Sequence, residues 1–161
     1  MNTPTVVIDR QRACTQRCPS RRSLARWVCR SLQALATGPA GAEVTVRYVE
    51  AEESRALNAA FRRKDRPTNV LSFPATEHPV EPPVLPGATV PYLGDLVICP
   101  EVVEREAAAQ DKSRRAHHAH MVVHGILHLL GYDHLTPAQA EQMEPIEIRV
   151  LGALGYADPY A

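Results

Sequence analysis

Three histidines in the last third of the chain have the spacing of a metal site: His124, His128 and His134. The first two are four residues apart, so in a helix their rings project from one face, with Cβ atoms ~6 Å apart. Both imidazoles can then reach one zinc ion at ~2.0–2.1 Å. Gly131 is predicted to end this helix and to permit the turn that brings His134 back as a third ligand. Three neutral imidazoles with an open fourth position are typical of catalytic rather than structural zinc.

The residues around this trio suggest supporting contacts. A single histidine in an apolar helix is usually a core residue, but three at this spacing around a helix-ending glycine are hard to explain in that way. His120 precedes His124 by four residues, so we expect it on the same helix face, in contact with a ligand. Asp133 is predicted to orient a ligand ring or to hydrogen-bond a metal-bound water. His117 and His118 are expected at the surface.

The same spacing occurs in zinc proteases of the pattern H-E-x-x-H-x-x-G-x-x-H. The chain matches this pattern at every position but one, because Gly125 stands where the catalytic glutamate belongs. Without that carboxylate a protease lacks its general base, so the sequence argues against peptide hydrolysis. The base would come from elsewhere, or a metal-bound water with a pKa of about 7 would suffice alone.

Hydrophobic periodicity predicts the elements that position these residues. We expect an α+β fold in which a small mixed sheet of about four strands packs with helices, and the zinc site lies at the end of a central helix. The predicted strands are 5–9, 43–49, 69–73 and 93–99. The predicted helices are 21–35, 52–63, 101–110, 113–130 and 137–154, the last with Thr136 as N-cap, Pro137 at its first position and Pro145 as a candidate bend.

One domain is expected over residues 1–161, interrupted by a proline-rich insertion. Segment 76–91 carries five prolines and one glycine, a composition that predicts a surface loop rather than regular structure.

Composition excludes several classes of protein. Formal net charge is zero and 22% of residues are charged, so nothing in the overall charge points to nucleic acid. No apolar run approaches the roughly 18 residues that cross a bilayer, and we expect no membrane partner and no DNA partner. Four cysteines without disulfide-scaffold density favour a reducing cytoplasm. Cys14 and Cys18 have C-x3-C spacing, for which two unpaired thiols are preferred over a metal site.

Three segments of the chain resemble one family. The string HGILHLLGYDH at 124–134 resembles the signature of the YbeY family, bacterial endoribonucleases that act in ribosomal RNA maturation. The segments 57–74 (LNAAFRRKDRPTNVLSFP) and 93–99 (LGDLVIC) resemble two further blocks of that family, in the same order. Asn69 stands where many members have aspartate, and both residues occur there. The resemblance covers Leu57 to the C-terminal helix, and its proline-rich loop is longer than expected.

The resemblance implies an α+β fold, a zinc ion bound by three histidines, and single-stranded RNA as substrate. It also implies action at the 3′ end of small-subunit ribosomal RNA and in ribosome quality control, with the ribosome or its small subunit as partner. The family's conserved arginine falls on Arg62 and its zinc ligands fall on His124, His128 and His134. These four residues are therefore the candidate catalytic residues.

The chemistry of the basic run at 62–66 is compatible with this substrate. A guanidinium binds two phosphate oxygens in a fork, so Arg62 is expected to clamp the phosphate while water activated by zinc attacks. Arg63, Lys64 and Arg66 are expected to contact the RNA backbone, although composition alone is as consistent with a solvated turn.

Two alternatives remain at this stage. One is a metal-dependent hydrolase of another substrate, such as peptide, against which Gly125 argues. The other is a non-enzymatic ribosome-assembly factor with structural zinc, which a fourth protein ligand closing the site would favour.

Overall fold

A four-stranded mixed sheet forms the centre of the computed structural model, which describes residues 3–77 and 81–161. The strands are β1 (Thr5–Ala13), β2 (Gly41–Val49), β3 (Val70–Pro74) and β4 (Tyr92–Ile98). Their spatial order is β1-β2-β4-β3. β1, β2 and β4 run parallel, whereas β3 pairs antiparallel with β4 at the sheet edge. The predicted α+β class with four strands is confirmed.

Five helices cover this sheet. They are α1 (Arg21–Gln33), α2 (Ala51–Arg62), α3 (Pro100–Ala109), α4 (Arg114–Leu129) and α5 (Pro137–Ala153). At the start of α5 the Thr136 hydroxyl accepts from the main-chain N–H of Gln139, whose side chain accepts from Thr136 in return. This capping box explains why the helix begins there, as predicted. Pro145 lies inside α5, which continues through it.

Helix α4 is the central helix and contacts α1, α3, α5, β3 and β4. Val122 and Ile126 of α4 are fully buried in one cluster with Val44, Val46 and Leu96 of the sheet. Burial of each such side chain contributes roughly 1.5–3 kcal/mol. The element that carries the candidate ligands is therefore held by the core on several sides.

This position of α4 makes one prediction wrong: His117 and His118 do not lie at the surface. They are 3% and 1% exposed, because neighbouring elements cover α4 on those sides. His117 Nε2 lies 2.9 Å from Glu106 Oε1. The His118 ring packs edge-on against Tyr48, with ring centroids 6.0 Å apart. Both histidines are core residues.

Strand β1 extends to Ala13, beyond the predicted end at Asp9. Apolar alternation stops after Ile8, but β1 pairs with β2 residue by residue from Thr5↔Gly41 to Ala13↔Val49. Main-chain hydrogen bonds continue the strand where its side chains give no periodic signal.

Strand β3 includes Pro74, which an edge strand tolerates because one row of its N–H groups needs no partner.

The proline-rich segment has neither helix nor strand over the parts of 75–91 that the structure describes. The main-chain N–H of Tyr92 donates to Pro83 O at 2.7 Å, and that of Glu43 donates to Pro91 O at 2.8 Å. The insertion is therefore anchored beside β2 and β4. Across the described residues, none of the helices has the length and apolarity needed to span a bilayer.

Candidate metal centre

The end of α4 and the turn after it bring the predicted histidines together. Gly131 follows the helix with a φ of +99°, a conformation that L side chains rarely adopt. Its N–H donates to His128 O at 3.0 Å, and the next N–H, of Tyr132, donates to Leu127 O at 3.0 Å. The chain reverses here, as predicted, and His134 returns to the helix end.

The ring nitrogens of the trio have the separations of ligands around one ion. His128 Nε2 lies 3.0 Å from His124 Nε2 and 3.1 Å from His134 Nδ1. Tetrahedral zinc bonds of about 2.0 Å would place ligand nitrogens about 3.3 Å apart, close to these values. All three atoms lie within 4.8 Å of one another. The donor set and its geometry therefore fit a divalent metal ion.

Electrostatics at His128 favour the neutral imidazole that a metal requires. Burial, followed by the neighbouring His124 and His134, lowers the pKa of His128 to about 4. Arg62 contributes in the same direction, whereas Asp133 opposes it. At neutral pH the His128 ring therefore keeps a nitrogen lone pair.

No fourth His, Cys, Asp or Glu of residues 3–77 and 81–161 joins this trio. The Asp133 carboxylate accepts a hydrogen bond from the main-chain N–H of His134 at 2.8 Å, so the contact seen here is to the backbone of a candidate ligand rather than to its ring. Among the described residues, the protein therefore offers three candidate ligands at this position.

Gly125 lies where α4 approaches the sheet most closely. A Cβ built on it would be 2.7 Å from Leu96 Cδ2 and 3.1 Å from Leu96 Cδ1. Leu96 is fully buried, so a glutamate at this position would displace the core. The close packing of helix and strand gives a physical reason for the missing protease carboxylate.

One buried carboxylate that the sequence prediction missed lies behind the trio. Glu147 of α5 is 0% exposed, and its Oε2 lies 2.8 Å from His120 Nε2 and 3.1 Å from His124 Nδ1. The contact of His120 with a ligand, expected from spacing, thus runs through Glu147. The sequence does carry a signal for its burial, because Glu147 lies on the same face of α5 as the buried Met143 and Leu151, at four-residue steps.

The trio lines a cleft of ≈ 210 Å³. Arg62, the last residue of α2, lines the same cleft, as do Asn69 and Ser72 on either side of the start of β3. Tyr160, near the C-terminus, lines it as well. An exposed guanidinium and three imidazoles thus face one cavity, an arrangement that can hold a phosphate beside a metal ion.

The rest of the basic run forms a turn outside that cleft. Arg63 caps α2 in the left-handed conformation with a φ of +58°. Asn58, buried on α2, holds the turn: its side-chain N–H donates to Arg66 O at 2.8 Å, and its main-chain carbonyl accepts from the main-chain N–H of Lys64 at 3.3 Å. Arg63, Lys64 and Arg66 are exposed and are not lining residues of the cavity.

Cys14 and Cys18 face one another with Sγ atoms 3.3 Å apart, and both are free thiols. Burial, followed by the neighbouring Cys14, raises the pKa of Cys18 to about 12. Among the described residues, no third metal-ligating group joins them. The interpretation as two thiols is therefore favoured over a second metal site.

Fold and site together define an α+β protein whose central helix ends in a three-imidazole candidate metal centre, beside an arginine in the same cleft. The profile of the endoribonuclease YbeY family matches residues 9–155. A protein described as Endoribonuclease YbeY from Halorhodospira halophila (strain DSM 244 / SL1) is 59% identical over 120 residues, covering 74% of this chain and 75% of that protein. This chain belongs to the endoribonuclease YbeY family, as its motifs predicted.

A solved structure supports the fold. The solution structure of TM1509 from Thermotoga maritima is similar to this chain with a TM-score of 0.58 and 25% sequence identity. The match covers 98% of this chain and 99% of the Thermotoga protein. The likeness therefore extends over the whole architecture.

Proposed function

We propose that this chain is a zinc-dependent endoribonuclease that cleaves single-stranded RNA, and that it acts on the 3′ end of small-subunit ribosomal RNA and in ribosome quality control. The observation that carries the proposal is the cleft in which Arg62 faces His124, His128 and His134. Membership of an endoribonuclease family supports the reaction, and a cytoplasmic ribosome or small subunit is the proposed partner.

The three imidazoles are proposed to hold the ion, because they combine suitable ligand chemistry with suitable spacing. When bound, zinc supplies an acidic water and polarises a phosphoryl oxygen. Arg62 binds the non-bridging oxygens of the scissile phosphate and stabilises the charge that grows on them during displacement. Arg62 is the last residue of α2, beside the turn held by Asn58, and it lines the cleft from that position.

Arg63, Lys64 and Arg66 are proposed to contact RNA outside the cleft. Their side chains are exposed on the turn that follows Arg62, where phosphates flanking the scissile bond would pass. Asp65 lies among them, but its carboxylate accepts hydrogen bonds from Arg55 at 2.7 and 2.9 Å. The surface offered to RNA at this turn is therefore positive despite the zero net charge of the chain.

Substitution of the two components separates metal binding from phosphate binding. With a single-stranded RNA carrying the small-subunit 3′ end, Arg62→Ala should lower kcat about 10²–10³-fold, the effect of removing one preorganised charge-stabilising donor. His128→Ala should lower cleavage to background because a ligand is lost. Arg105→Ala, an exposed arginine of α3, is the matched control and should cleave like wild type.

Gel-resolved initial rates measure these effects, with the same RNA annealed into a duplex to test strand preference. Wild-type rates in both Arg62→Ala and His128→Ala would sink the mechanism. Equal cleavage of duplex and single strand would contradict the proposed substrate class.

A further inference from the structure

The buried carboxylate of Glu147 collects hydrogen bonds from three side chains. Its Oε2 accepts from His120 Nε2 at 2.8 Å and from His124 Nδ1 at 3.1 Å. Its Oε1 accepts from the hydroxyl of Tyr160 at 2.9 Å. These donors come from α4 and from the C-terminal segment, so the carboxylate on α5 joins three parts of the chain.

A carboxylate without solvent exposure is stable only where donors replace its water. Glu147 is 0% exposed, and the side chains of His120, His124 and Tyr160 take the place of that water. A carboxylate accepts hydrogen bonds and donates none, so each of these three partners is the donor. A buried carboxylate held by directed donors orients those donors in return.

The hydrogen bond to Glu147 determines which ring nitrogen of His124 can bind a metal ion. Because Nδ1 carries the proton donated to Glu147, the lone pair is on Nε2. Nε2 is the nitrogen that lies 3.0 Å from His128 Nε2, at the candidate metal centre. Glu147 thus selects the tautomer of His124 and fixes the rotation of its ring, as carboxylates do behind metal-bound histidines.

The C-terminal segment folds back against α4 and thereby brings Tyr160 to Glu147. After α5 the chain turns at Gly155, with a φ of +90°, and the N–H of Tyr156 donates to Leu151 O at 2.8 Å. Lys112, just before α4, donates through Nζ to Pro159 O at 3.2 Å. These contacts bring the segment back against α4 and place the Tyr160 hydroxyl on Glu147.

We propose that Glu147 and Tyr160 form a positioning relay for the metal ligand His124, in which Tyr160 holds the carboxylate and the carboxylate holds the ring. Neither residue is a proposed ligand or touches the reacting phosphate in this role. His120, His124 and Glu147 are also close enough to hold a cation themselves, but hydrogen bonds between them already satisfy these atoms. The relay rests on the metal function proposed above.

Zinc affinity tests the relay without reference to RNA cleavage. Zinc alone is titrated into metal-stripped protein against a chromophoric chelator. Glu147→Gln should weaken zinc binding about 10–100-fold, the usual effect of removing a partner behind a ligand. Tyr160→Phe keeps the ring and removes one hydrogen bond, so it should weaken zinc binding about threefold to tenfold.

Two matched variants serve as controls. Glu141→Gln changes an exposed glutamate of the same helix, and Tyr156→Phe changes a tyrosine of the same C-terminal segment. Both should bind zinc like wild type. The melting temperature of each metal-free variant is measured in parallel, because a purely structural role would lower that temperature and leave the zinc constant unchanged.

The outcomes distinguish failure of the relay from failure of the proposed metal function. Wild-type zinc constants in both Glu147→Gln and Tyr160→Phe would overturn the relay and leave the metal function standing. If wild-type protein fails to bind zinc, the metal function itself is overturned, and the relay with it. If Glu147→Gln does not fold, Tyr160→Phe decides alone, since Tyr160 is 45% exposed and its loss of one hydroxyl leaves the core intact.

Discussion

The three rings of the candidate centre do not all present the same nitrogen to one another. His124 presents Nε2 because Nδ1 is held by Glu147. His128 presents Nε2 as well, one helical turn later, whereas His134 presents Nδ1 from the turn after the helix. The residue types are visible in the sequence, but the choice of nitrogen depends on contacts from α5 and from the reversed chain.

His118 provides a prediction at the residue scale that is independent of catalysis. Burial, followed by the charges of His117 and Arg114, lowers the pKa of His118 to about 4. Below its ordinary value of 6.5 the unfolded chain binds a proton that the folded chain does not bind, so stability falls as pH falls from about 6.5 towards 4. Between pH 7 and pH 5, His118 should cost metal-free wild-type protein about 2 kcal/mol of unfolding free energy.

Urea unfolding at both pH values, on wild type and His118→Leu, checks this expectation. The variant should lose about 2 kcal/mol less than wild type over the same interval. An identical loss in both proteins would mean that His118 is not the residue that titrates.

At the scale of elements, α4 depends on two glycines for opposite reasons. Gly125 has no side chain, and the helix can therefore lie against Leu96 of β4. Gly131 supplies a backbone conformation that turns the chain towards the helix end. Gly125 therefore sets how closely the helix packs on the sheet, and Gly131 sets the position of the candidate ligand His134.

Gly131→Ala should therefore damage the site more than the fold. Placing a Cβ at a φ of +99° should cost of order 1–3 kcal/mol and shift His134 from its position beside His128. We expect weaker zinc binding together with lower unfolding free energy, measured by chelator competition and urea unfolding.

Gly152→Ala is the matched control, because Gly152 lies in α5 with open space around its would-be Cβ. It should leave zinc binding unchanged and stabilise the helix by up to about 1 kcal/mol. Unchanged zinc affinity in Gly131→Ala would show that the turn does not position His134.

Local patterns predicted the elements well because most of them are amphipathic or end at glycine or proline. Helix α4, predicted at 113–130 and observed at Arg114–Leu129, and the cap at Thr136 follow directly from such signals. The polar half of β1 did not, since pairing with β2 rather than alternation defines it. The burial of His117 also depends on neighbours distant in sequence, which periodicity along one helix does not reveal.

At the scale of the whole molecule, the site assembles elements distant in sequence. Arg62 is the last residue of α2, and the trio lies in the last turns of α4 and in the turn after it. Glu147 belongs to α5, and Tyr160 lies near the C-terminus. The sequence motifs identified the first two because those residues carry recognisable spacing and resemblance. The other two depend on how α5 and the C-terminal segment dock on α4, which spacing alone does not specify.

The zero formal net charge makes local arrangement decisive for RNA binding. In the proposed function, attraction to phosphate comes from the exposed turn at 62–66 and from the candidate metal centre rather than from the charge of the molecule as a whole. The proposed function thus depends most on whether a metal ion held by three imidazoles is needed for RNA cleavage.

The most direct measurement is cleavage of one single-stranded RNA by metal-stripped protein, before and after addition of one equivalent of zinc. His128→Ala, purified in the same way, reports any contaminating nuclease. We expect that stripping abolishes cleavage and that one zinc per chain restores it in wild type but not in His128→Ala. Full cleavage by stripped wild-type protein, confirmed by elemental analysis to hold no metal, would contradict the proposed function.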